Sequence, residues 1–118
     1  MGRSVNLFKL EKYQVQSAKD EKEIWTHVEC LYTSMVSPSR DLISKTYNQD
    51  FNEKFVWGYI DQNYYNELYL SENCKLNVTR MPYSTLKKIW EKALNEKLEL
   101  EKNEEVTNET IVCLVQGN

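Results

Sequence analysis

His27 is the only histidine in the chain, and Glu23 and Cys30 stand four residues before it and three after it. On a helix those offsets bring the three side chains to one side, the grouping that a thiol nucleophile, a base and an orienting carboxylate require. No Gly-rich or strained turn presents Cys30, however, so His27 reads as a structural histidine. A second constellation is Ser37-Pro38-Ser39-Arg40. Two hydroxyls, the free amides of a helix start and a guanidinium make Ser37, Ser39 and Arg40 a candidate anion site. An ordinary Ser-capped, Pro-first helix start explains the same residues without a ligand. The third is FVWGYIDQNYYNELY, where Trp57, Tyr59, Tyr64, Tyr65 and Tyr69 interleave with Asp61 and Glu67. Tyr and Trp add large, rigid contact area at low entropic cost, which is why interfaces are enriched in them.

Other chemistries are excluded by spacing. Phosphate-cradling loops need glycines close together, yet Gly2, Gly58 and Gly117 are scattered. Cys30, Cys74 and Cys113 form no Cys-x-x-Cys pair, and the carboxylates lack Asp-x-Asp or His-x-x-Glu spacing. The expectation is a protein with no catalytic residues, no metal and no cofactor, whose cysteines are free thiols in a reducing compartment. A net charge of -3 and a pI near 5.2 argue against a protein that lives by binding phosphate backbones. The opening MGRSVNLFKLEKYQ has no apolar leader, and no run approaches the roughly 20 apolar residues of a membrane span. A cytoplasmic protein with no membrane association is expected.

These residues need elements to hold them. Ser4 to Gln16 alternates at Val5, Leu7, Tyr13 and Val15 and predicts a long, partly two-sided strand. From Ser17 on, Ile24, Val28, Leu31, Tyr32 and Met35 fall at i, i+4, i+7, i+8 and i+11, and Ser17 with Asp20 resembles a capping box. That spacing predicts an amphipathic helix. A short helix near residues 38–48 follows, with Leu42, Ile43 and Tyr47 as its weaker apolar face. Phe55 to Ile60 is a strand by composition, and Leu68/Leu70 with Cys74/Leu76/Val78 predict a hairpin that Pro82 ends. Ser84 onward carries Leu86, Ile89, Trp90, Ala93, Leu94 and Leu98 on one helical stripe. TIVCLV, Thr110 to Val115, is a compact buried strand.

In order this is a β-α-β-β-α-β pattern of the ferredoxin-like type, in a single α+β domain over residues 1–118. An antiparallel sheet of four to five strands is packed on one face by two main helices. Such a fold licenses no function by itself. Strand alternation puts Phe55, Trp57 and Tyr59 on one face, and if the helices cover Val56 and Ile60 that face is the open one. The contrary register turns Trp57 inward.

Trp57, Tyr59, Asp61, Tyr64, Tyr65, Glu67 and Tyr69 then form an acidic-rimmed aromatic patch for another protein with a basic surface. The expected function is a small non-enzymatic binding module. Small acidic domains without motifs, Lys-rich and with Ala18 and Ala93 as the two alanines, are common among mobile-element products. The class analogy is therefore an inhibitor or neutraliser, like an immunity protein or a phage counter-defence protein. Two alternatives belong to other classes. KFVWGYID has the residue types of an RNA-stacking strand, in the wrong order and spacing, which leaves a single-stranded nucleic-acid-binding regulator. A small-ligand-binding protein or unrecognised enzyme would use Ser37–Arg40 or His27. An open sheet face can also be covered by a second copy, giving a homodimer.

Overall fold

The computed structural model describes residues 4–16, 21–35, 37–59, 78–100 and 105–117, with the backbone alone for 12–16, 21–28, 37–38 and 59. Five strands form one sheet with two helices: β1 (Ser4–Gln16), β2 (Glu21–Ser34), α1 (Ser37–Phe51), β3 (Gly58–Tyr59), β4 (Arg80–Pro82), α2 (Tyr83–Leu94) and β5 (Ile111–Gly117). From β2 onward the order is β-α-β-β-α-β, and β1 precedes it. The sheet runs β2-β1-β5-β3, with β4 beside β5 below β3. Every pairing is antiparallel except β3 with β5. The small α+β domain expected from the sequence is the fold observed.

The strand β5 is the centre because its sequence can be buried on both sides. IVCLVQG has no charge, and Val112 to Gln116 are all buried. Such a continuous apolar run suits a strand covered on both faces. On one face, Val5, Leu7, Val112 and Leu114 join Ile43 and Tyr47 of α1 and Leu86, Ile89 and Trp90 of α2 in the main core. On the other, Leu10, Cys113, Val115 and Val78 form a second cluster with Phe8 and Ile111 at its margin. Burying each large side chain of the first cluster contributes about 1.5–3 kcal/mol before entropy is counted.

The segment expected as the first helix is instead β2. It lies antiparallel to β1 through Gln16↔Glu21, so residues 17–20 connect two strands where a helix cap was expected. The physical reason is a pair of bulges. Leu31 is inserted between the pairs Leu7↔Tyr32 and Phe8↔Cys30, and Val28 between Lys9↔Glu29 and Leu10↔His27. Each bulge sets two residues against one. Leu31 and Tyr32 therefore both oppose Leu7, Val28 and Glu29 both oppose Lys9, and Ile24 opposes Tyr13. A doubly bulged strand thus reproduces the i, i+4, i+7, i+8 spacing of a helix. Thr26, Val28, Thr33, Trp25 and Tyr32 are strand formers, and β1 supplies a long partner.

The two helices are α1, longer than its expected 38–48, and α2. Pro82 ends β4 and takes the N-cap position of α2. With no side-chain cap, the first amides of α2 are satisfied by the next turn: Tyr83 N–H donates to the Thr110 carbonyl at 2.7 Å and Ser84 N–H to that of Asn108 at 3.0 Å. The helix stops at Leu94 because Asn95 is left-handed, with φ 53°. It does not continue to Leu98 as its stripe predicts. Leu98 is buried all the same, reaching the core from the non-helical chain beyond.

Candidate functional site

The aromatic stretch enters from the end of α1. Asn52, with φ 51°, turns the chain, and Asn52 N–H donates to the Asn48 carbonyl. Asn48 Oδ1 accepts the Phe55 amide at 2.9 Å, and Tyr47 O–H donates to Glu53 Oε2 at 3.2 Å. Phe55 is thereby inserted into the main core, edge-on to Tyr47 at 5.1 Å between ring centres and tilted against Trp57 at 4.9 Å. Burial, then the hydrogen bond to Glu53 and its charge, raise the Tyr47 hydroxyl above its ordinary 10.0.

Trp57 is half-buried against the same core, and its indole Nε1–H donates to Ser44 Oγ at 2.7 Å. Ser44 in turn donates to the Arg40 carbonyl at 3.0 Å. The expected strand from Phe55 is present only at Gly58–Tyr59, residues 54–57 having no regular secondary structure; Phe55 and Trp57 turn toward α1, and their expected outward face is not formed. The reason is packing. Gly58 is buried on the edge strand β3, where an added Cβ would sit 3.2 Å from Val115 Cγ2 and 3.5 Å from Val78 Cγ1. A Cβ there would require Val115 to give by a few tenths of an ångström, so glycine suits this close approach to β5, and the neighbouring Trp57 lies on the α1 side.

Tyr59 ends β3 at the edge of the sheet, opposite Gln116. Asp61, Tyr64, Tyr65, Glu67 and Tyr69, with the expected hairpin at 67–77, lie outside the described residues. The chain ends that flank them are described and they meet. Thr79 N–H donates to the Val56 carbonyl at 2.9 Å, and Val56 N–H to Thr79 Oγ1 at 2.8 Å. Residues 60–77 thus leave and return at one point on the sheet edge.

The remaining candidates are placed as follows. Ser39 is fully buried, and Arg40 Nη1 donates to the buried side chain of Gln116 on β5. Arg40 also lies 3.6 Å from Asp41 Oδ1. Its guanidinium ties α1 to the sheet, and Ser39 offers no surface hydroxyl for an anion. Ser37 opens α1. His27 is in β2, where Glu23 is about 13 Å away along a strand, so the helical Glu23-His27-Cys30 grouping is not formed. Cys30, half-buried, is hydrogen-bonded to the Tyr32 carbonyl at 3.6 Å and beside Thr33 Oγ1 at 3.5 Å. Thr33 donates to Asn6 Oδ1 at 3.0 Å, and Asn6 Nδ2 to Ser4 Oγ at 3.3 Å. This polar row, which sequence reasoning missed, couples β1 to β2 through hydrogen bonds that a sequence pattern does not register. Cys113 is buried, and burial pushes its thiol strongly upward against a smaller opposing effect of Arg80.

Among the described residues no group of three or more His, Cys, Asp or Glu side chains is placed to hold a metal ion, and no helix is long and apolar enough to cross a membrane. Comparison with protein-family models, with curated proteins and with solved structures returns no match for the chain.

Proposed function

We propose that this chain is a small non-enzymatic protein-binding module of the inhibitor or neutraliser kind, acting in the cytoplasm on a partner with a basic surface. The observation that carries this reading is the clamp at Val56 and Thr79, which presents residues 60–77 from a fixed point at the sheet edge. Those residues hold Asp61, Tyr64, Tyr65, Glu67 and Tyr69, and Tyr59 stands at their entrance. Tyrosines beside carboxylates suit a partner whose Lys and Arg side chains pair with acid and lie over aromatic faces. A rigid base beneath such a segment lowers the ordering cost of binding. Phe55 and Trp57 belong to that base, which leaves recognition to Tyr59 and beyond.

The test is affinity capture from the native host lysate with wild-type protein beside a folded Tyr65→Ser/Tyr69→Ser variant, each with and without nuclease. The expected result is one protein retained by wild type, lost with the variant and indifferent to nuclease. Capture that the double substitution leaves unchanged, or that nuclease abolishes, overturns the proposal, the second result in favour of a nucleic acid.

A further inference from the structure

The β1–β2 ribbon runs beyond the body of the sheet. β5 pairs with β1 only as far as Lys9↔Val112, whereas β1 and β2 stay paired to Gln16↔Glu21. The stretch from Leu10↔His27 to Gln16↔Glu21 spans about 20 Å at strand rise. A two-stranded ribbon is marginal alone, and three or more strands are needed for stability. Among the described residues β2 is also the outermost strand, 14 residues long and without proline. Proteins blunt such edges with bulges, prolines or short strands. The bulges of β2 at Leu31 and Val28 both lie beside the body, and from His27 out to Glu21 the register is unbroken. Among the described residues the unblunted part of the edge is also the part where the ribbon has no third strand.

We propose that a second copy of this chain supplies more strands, β2 pairing antiparallel with β2 of the other copy over Glu21–His27 and joining two ribbons into a four-stranded sheet. A two-fold interface is self-complementary, and full overlap of the regular stretch fixes its axis at Ile24. Glu21 then stands opposite His27, Lys22 opposite Thr26 and Glu23 opposite Trp25. No like charges face each other, and Glu21 meets an imidazole. The two acids and one lysine of the stretch make no single-sign field that would favour a polyanion or a strongly basic partner over a second copy. The proposal does not depend on the aromatic segment.

Light scattering of the full chain over a concentration series is expected to show a monomer–dimer equilibrium. Thr26→Lys places two Lys–Lys pairs across the axis and is expected to weaken the dimer about tenfold, and adding Lys22→Glu restores it. Ile24→Cys puts the new thiols on the axis, where paired Cα atoms about 4.5–5.5 Å apart suit a disulfide. Mild oxidation should then yield a covalent dimer that wild type, with Cys30, Cys74 and Cys113, does not. A chain that is monomeric at every concentration, or a dimer that Ile24→Cys fails to cross-link, overturns the proposal, whatever the folding of the lysine variant.

Discussion

Replacing Trp57 with Phe tests whether this residue belongs to the scaffold. The change removes the Nε1–H that reaches Ser44 Oγ at 2.7 Å and trims a ring packed against Phe55. Losing the hydrogen bond costs about 0.5–1.5 kcal/mol, and the trimmed contact brings the total to about 1–3 kcal/mol. For a domain of this length that corresponds to roughly 3–6 °C in Tm per kcal/mol. Ser44→Ala removes the acceptor from the other side. It also removes the Ser44 hydroxyl from the Arg40 carbonyl and puts a better helix former in α1, which offsets about 0.5 kcal/mol of the loss. The two single variants and the double, compared by urea unfolding with equal m-values, close a cycle. The expected coupling is about 0.5–1.5 kcal/mol. Additive effects, or a Trp57→Phe variant of unchanged stability that loses its captured partner, would refute the assignment of Trp57 to the core.

Two further outcomes follow from local geometry. Stability should hold from neutral pH to about 9 and then fall, because folded-state values raised for Cys113 and, further up, Tyr47 and Tyr83 mean that the unfolded chain ionises first. Urea midpoints measured from pH 7 to 11 check it, and Cys113→Ala should move the onset toward the tyrosine range near 10. Asn95→Ala forces a β-carbon-bearing residue with no local hydrogen-bonding side chain into the left-handed turn that ends α2, and should cost about 1 kcal/mol, while Asn95→Gly should cost nothing by thermal unfolding.

The legible elements were those whose sequence has one reading. Ser4–Gln16 alternates at Val5/Leu7 and Tyr13/Val15 around the apolar Phe8 and Leu10, a two-sided strand pattern, and is a strand with those bounds. The stripe Leu86, Ile89 and Trp90 is buried as predicted, since Lys and Glu fill the other face and the helix is a regular one. β2 was not legible, because two bulges convert a period of two into intervals of three and four, and the Ser and Asp that precede it are residues that cap helices as readily as they make turns. The end of α2 was missed for a different reason. The apolar stripe continues to Leu98, and only the backbone conformation of Asn95 says that Leu98 meets the core from a non-helical segment. At the candidate site, Phe55 and Trp57 lie together against the core as their spacing suggested, but from a segment without regular secondary structure that leads into the two-residue strand Gly58–Tyr59. The side they take is set by contacts far away in sequence, the Trp57–Ser44 hydrogen bond and the close packing of Gly58 on Val115.

The same contact separates the aromatic stretch into two parts with different work. Up to Gly58, the Phe55 and Trp57 side chains pack against α1, and the backbone is held at Val56 by Thr79 and at Gly58 by β5, so substitutions there should change stability first and binding only through it. From Tyr59 on, the chain leaves the sheet edge and returns at Val78, whose side chain packs beside Gly58. Both ends of the departing segment are thus secured by scaffold groups: the Val56–Thr79 hydrogen bonds and the Gly58–Val78 packing. Under the binding role proposed above, substitutions up to Gly58 are expected to lower stability first, and substitutions at 60–77 to lower capture first.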